Sequence, residues 1–127
     1  MAIKLTKEYG KTPIEVFYER GILGPKTVLA HCVWLTSIEI KLLSITKTSV
    51  AHCPISNMKL SFGVAPIPEL IRHWVNVGLR SDGIKENNRI DLIQEMKIAS
   101  ILQKAHNLDA SLISAEQALK TKLALLK

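Results

Sequence analysis

Three ionisable side chains recur at the ends of short apolar runs: His31, His52 and Asp82. The first two sit in an internal echo, in which Lys26-Thr27-Val28-Leu29-Ala30-His31-Cys32 returns as Lys47-Thr48-Ser49-Val50-Ala51-His52-Cys53. The third closes the run Val75-Asn76-Val77-Gly78-Leu79-Arg80-Ser81-Asp82. Imidazole and carboxylate are ligands for a borderline metal such as zinc, and a carboxylate beside a cation can take the proton of an attacking water. A histidine at a strand end also commonly serves as a hydrogen-bonded rim residue, and from spacing alone both roles stay open. His73 and His106 fall on predicted helices, where surface or capping roles are expected. Cys32 and Cys53 follow the histidines, so strand alternation is expected to turn them toward a helical layer as small buried hydrophobes. The sequence has no Cys-x-x-Cys, no Gly-x-Gly-x-x-Gly, no P-loop and no Gly-x-Ser-x-Gly elbow. The His-x-Glu with Pro-Cys-x-x-Cys of nucleobase-editing zinc deaminases is absent as well.

The elements that would position these residues alternate between helix and strand. Thr12-Pro13-Ile14-Glu15 and Thr36-Ser37-Ile38-Glu39 are helix starts, each with a threonine cap and a glutamate three residues on. Helices are predicted near 12–20, 36–44, 68–74, 89–105 and 114–126, the last opening on Ser114-Ala115-Glu116-Gln117. Strands are predicted near 26–31, 48–52 and 75–80, with a loop carrying Pro54, Gly63 and Pro66 after the second. Their low charge suits strands covered on both faces. A strand, a helix and a strand whose equivalent ends point the same way make a right-handed βαβ unit. In (β/α) barrels, chemistry sits at the carboxyl rim of the strands, which is where His31, His52 and Asp82 would lie.

Composition narrows the choices further. The 127 residues, 47% hydrophobic and 22% charged, fit a single domain, residues 1–127, with an ordinary core. No apolar run approaches the ~20 residues of a membrane span. Met1-Ala2-Ile3-Lys4 shows no signal-peptide pattern, so a cytoplasmic chain is expected. The net charge of +6 comes from scattered lysines, with only two each of Phe, Tyr and Trp for base stacking, so no nucleic-acid partner is expected. With reduced cytosolic thiols, no structural disulfide is expected between the two cysteines.

Four segments carry a family resemblance. Ala30-His31-Cys32-Val33-Trp34-Leu35-Thr36, Ser49-Val50-Ala51-His52-Cys53-Pro54-Ile55-Ser56-Asn57-Met58-Lys59-Leu60, Gly63-Val64-Ala65-Pro66 and Asn76-Val77-Gly78-Leu79-Arg80-Ser81-Asp82-Gly83 resemble the metal-dependent amidohydrolase superfamily. The similarity points to its methylthioadenosine/S-adenosylhomocysteine deaminase and chlorohydrolase-like branch and runs from about Tyr9 to Leu119. The resemblance implies an α/β fold, a partial TIM (β/α)8 barrel of about three parallel βα units (strands six to eight) with flanking helices. It implies that Asp82 is the strand-eight aspartate, a metal ligand and the base for the nucleophilic water. His31 would be the strand-six histidine, which positions that water or binds metal, while His52, Asn57 and Glu86 would line the pocket. Two positions depart from the family pattern: Arg80 replaces a glycine beside the metal and is expected to oppose a cation, and Glu86 replaces a substrate-touching serine.

Family members also carry a His-x-His on strand one, and on strand five a metal histidine followed three residues later by a catalytic acid. No His-x-His occurs here. Zinc or another divalent metal is therefore expected to be held weakly or not at all by Asp82 and His31, leaving the chain inactive alone. Two other readings stay open. A separate N-terminal half-barrel chain, or homo-oligomerisation, would complete an active deaminase or hydrolase of a purine-like or other heteroaromatic C–N bond. Alternatively the chain is a non-catalytic interaction module with open sheet edges.

Overall fold

The computed structural model describes residues 10–83, 85, 91–114, 116 and 117. In chain order the elements are α1 (Pro13–Glu19), β1 (Val28–Ala30), α2 (Ser37–Thr46), β2 (Ser49–His52), α3 (Pro54–Lys59), α4 (Ile67–Arg72), β3 (Val77–Leu79) and α5 (Leu92–Asn107). Both threonine capping boxes form. Thr12 and Thr36 accept from the backbone N–H of Glu15 and Glu39, and each glutamate accepts in return from the threonine N–H at 2.7 Å. Asp91 caps α5, accepting from Ile93 N at 3.0 Å and Gln94 N at 3.1 Å. Ser114 and Gln117 make the same reciprocal pair, at 2.9 and 3.2 Å. The rest of the helix predicted over 114–126 lies mostly outside the described residues.

The three strands form one parallel sheet in the order β1-β2-β3. Leu29 pairs with Val50 and Ala30 with Ala51; Ala51 in turn pairs with Gly78 and His52 with Leu79. This register aligns the carboxyl ends of all three strands on one rim. The central strand is buried along its whole length and β3 likewise, while β1 alternates, leaving Val28 52% exposed at the sheet edge. Val50 and Val77 of the sheet pack with Ile40 and Leu43 of α2, Ile67 and Leu70 of α4, Ile14 of α1 and Ile113. Polar bonds tie the layers: Gln103 Nε2 donates to Ala65 O at 2.9 Å in the interior, and Ser44 Oγ donates to His73 O at 2.6 Å.

The structure is shorter than expected at most strand ends and differs in one element. The stretch after β2, expected as a loop, begins with the six-residue helix α3. Pro54, read as a loop marker, is instead the first helical residue, a position that costs no hydrogen bond because the first-turn N–H has no partner inside the helix. Helix α5 spans Leu92–Asn107, against the expected 89–105; residues 89 and 90 lie outside the described set.

Candidate functional site at the strand rim

His31 stands one residue beyond β1, with its N–H still bonded to Ala51 O at 3.0 Å. Its φ is 68° and that of Cys32 is 46°, both left-handed. Two successive left-handed residues end the alternation of β1 and re-aim the imidazole; such conformations cost about 1–3 kcal/mol each and concentrate at functional sites. Nδ1 of His31 lies 2.8 Å from Asn57 Oδ1. An amide oxygen only accepts, so Nδ1 donates this bond and Nε2 is the nitrogen left free for other partners. That free nitrogen is 3.7 Å from Asp82 Oδ2.

Asp82, just past β3, is also left-handed, with φ 63°. Ser56 Oγ donates to Asp82 Oδ2 at 2.7 Å, and Gly83 N donates to Oδ1 at 2.9 Å. The Ser56 hydrogen bond, more than any other influence, holds the carboxyl below its ordinary range, with smaller help from the Gly83 N–H and from the charges of His31 and Arg80. Replacing Ser56 with alanine is therefore expected to raise the Asp82 pKa toward the ordinary carboxylate value. A carbon-detected NMR titration of the side-chain carboxyl would show it, and an unmoved midpoint would remove Ser56 from the site. Arg80 is exposed and its charge is the weakest of these influences on Asp82.

His52 closes β2 and is 1% exposed, with neither ring nitrogen partnered among the described residues. Burial, reinforced by the charge of His31, pushes its pKa down to about 4, so the ring is neutral at physiological pH. Asn57, also 1% exposed, holds His31 through its oxygen while its Nδ2 is left without a partner among the described residues. Glu86 lies outside the described residues.

The two cysteines part company. Cys32 packs against the core, and burial, with smaller contributions from Glu39 and Cys53, pushes its thiol up to about 12. Cys53 is buried, and its sulfur reaches the rim. One donor atom from each of His31, Cys53 and Asp82 lies within 4.8 Å of the other two. The strand has already ended at His52, so Cys53 takes its direction from the N-cap of α3 (φ −119°, ψ 72°) and not from the pleat. Burial, then Asp82 and Glu95, push its thiol up to about 11. Ser56, which no sequence argument singled out, follows from the same helix. Cys53, Ser56 and Asn57 are spaced i, i+3, i+4, the spacing that stacks residues on one helical face. Recognising Pro54 as a helix start would have exposed that face.

Beside this cluster a cleft of about 410 Å³ is lined by His31, Val33, Trp34, Ser61 and Phe62. Phe62 stands edge-on to the His31 ring, with centroids 6.2 Å apart. Gly63 (φ 108°) lets the chain pass close beneath, since a Cβ there would sit 3.1 Å from Val33 Cγ1 and 3.2 Å from Trp34 Cζ2.

Polar side chains gathered at the carboxyl rim of a parallel sheet stand where (β/α) barrels carry their chemistry. Residues 2–121 match the amidohydrolase family, and the chain belongs to it. Over 112 residues it is 46% identical to the 5'-deoxyadenosine deaminase of Methanothermobacter thermautotrophicus, covering 88% of this chain and 26% of that one. With the 5-methylthioadenosine/S-adenosylhomocysteine deaminase of Pyrococcus furiosus it shares 42% identity over 117 residues, 92% of this chain and 28% of that one. A crystal structure of an adenosine deaminase from Xanthomonas campestris with bound zinc superposes with a TM-score of 0.91 at 33% identity, covering 95% of this chain and 28% of that chain. The chain thus spans about a quarter of the length of the curated relatives it matches. No helix among the described residues is long and apolar enough to cross a membrane.

Proposed function

We propose that this chain supplies the carboxyl-terminal share, strands six to eight, of a cytoplasmic amidohydrolase barrel that hydrolytically deaminates a purine-type amine. The single observation that carries the proposal is the approach of His31 Nε2 to Asp82 Oδ2, 3.7 Å apart, with each group held from behind by a residue of α3. In this reading Asp82 is the base. Held ionised by Ser56, it takes a proton from water as the water oxygen bonds to the ring carbon, then passes that proton to the amine nitrogen, so that the C–N bond breaks with release of ammonia. His31, with Nδ1 committed to Asn57, offers Nε2 to orient the same water when no cation is bound; with a cation bound, that nitrogen would hold the cation instead. Neutral His52 adds no competing positive charge on the rim. The cleft walls Trp34, Val33 and Phe62 suit the faces of a heteroaromatic ring.

The donors present fit a divalent cation of the zinc class, with His31 and Asp82 as family-type ligands. When bound, such a cation supplies Lewis acidity and makes water a stronger acid. The remaining family ligands, the His-x-His and the strand-five pair, would come from an N-terminal half-barrel, since a second copy of this sequence carries no His-x-His. Among the described residues, strand β1 offers an unpaired edge to it, with Val28 exposed. Co-expression with the N-terminal half of an adenosine-type deaminase is the test. Ammonia release from 5'-deoxyadenosine is expected only when both chains are present. A co-purifying but inert pair would favour the non-catalytic interaction module instead.

A further inference from the structure

The sequence alone offers two cation donors, but the structure brings in a third. We infer that Cys53 is a cation ligand, so that this chain by itself holds a thiophilic divalent ion between His31, Cys53 and Asp82. The inference deepens the proposal above and rests on it only in taking His31 and Asp82 as ligands; it needs neither a second chain nor catalytic turnover.

Three features support it. The three donor atoms lie within 4.8 Å of one another, and His31 Nε2 and Asp82 Oδ2 are already 3.7 Å apart. A tetrahedral zinc holds its donors roughly 3.3–3.7 Å apart, so the cluster needs to close by only about 1 Å. The donors are also backed by partners: Asn57 fixes the His31 ring with Nε2 free, and Ser56 steadies the carboxylate. Partners of this kind orient metal ligands and set their affinity. Finally, Cys53 is 1% exposed, its thiol makes a long contact to Ala51 O at 3.7 Å, and the backbone N–H of His31 also reaches the sulfur. A nitrogen, a thiolate and a carboxylate with an open fourth position match the ligand number of catalytic zinc sites, and the sulfur biases the choice toward zinc, cobalt or cadmium over magnesium and calcium.

The test is a titration of the reduced full chain with Co²⁺ alone, followed by absorption spectroscopy. One equivalent of Co²⁺ is expected to produce an ultraviolet thiolate-to-metal charge-transfer band together with intense visible bands of a tetrahedral ion. Cys53→Ser is expected to abolish the charge-transfer band and weaken binding at least about tenfold, whereas Cys32→Ser keeps both. Asn57→Ala is expected to weaken binding about 10–100-fold with the band intact. Wild-type protein that binds Co²⁺ without the band, or a band that survives Cys53→Ser, overturns the inference. The wild-type spectrum needs no variant to fold. Binding without the band that is still lost on Asp82→Asn would remove Cys53 while leaving the His31–Asp82 pair and the proposed reaction standing.

Discussion

Asp82→Asn is expected to lower ammonia release from 5'-deoxyadenosine by about 10²–10⁴-fold in the completed two-chain protein, the range for loss of a positioned general base. The asparagine matches the carboxylate in shape, and its Oδ1 can still accept from Ser56 Oγ, which donates to Asp82 at 2.7 Å. What it cannot do is take a proton. The loss should therefore fall on kcat, with KM changed little, because the cleft that would hold the ring is formed by Val33, Trp34 and Phe62 beside His31. Since Asp82 is held below the ordinary carboxylate range, the acid limb of the wild-type pH profile should lie below that of a Ser56→Ala protein. Undiminished turnover in Asp82→Asn would take the aspartate out of the chemistry.

The second large effect is on stability in acid. The fold depresses the His52 pKa from 6.5 to about 4. A group whose pKa is lowered by folding binds its proton more readily in the unfolded chain, so acid favours unfolding. The stability that depends on neutral His52 is fully present above pH ~6.5 and is lost progressively as the pH falls toward about 4, amounting to about 3 kcal/mol at pH 4. Water does not screen this effect, because the ring is 1% exposed. His52→Gln carries no titrating group, so urea unfolding at pH 7 and pH 4 should show the wild type losing about 3 kcal/mol more than the variant. Equal losses in the two proteins would mean that the ring finds a proton acceptor or water in the folded state.

The sequence determined a good deal of this chain unaided. Capping boxes at Thr12 and Thr36, each with its glutamate, fixed two helix starts, because reciprocal side-chain bonds to N–H groups are local and read out within four residues. The echo ending in His31 and His52 marked two strands, and the parallel register then set their ends on one rim with that of β3, as sequential βα units require. The family, too, was written in contiguous motifs. What tertiary structure alone decided was direction. Left-handed turns at His31, Cys32 and Asp82 override the two-residue period of the strands, and positive φ is too uncommon in any non-glycine residue for residue type to place it. Helix α3, hidden behind a proline, swings Cys53, Ser56 and Asn57 to the rim, where they meet side chains some 22–29 positions away along the chain. Whether a buried cysteine lies among hydrophobes or beside a carboxylate depends on where a strand stops and the next element begins. A shift of one residue there turns the side chain to the opposite face.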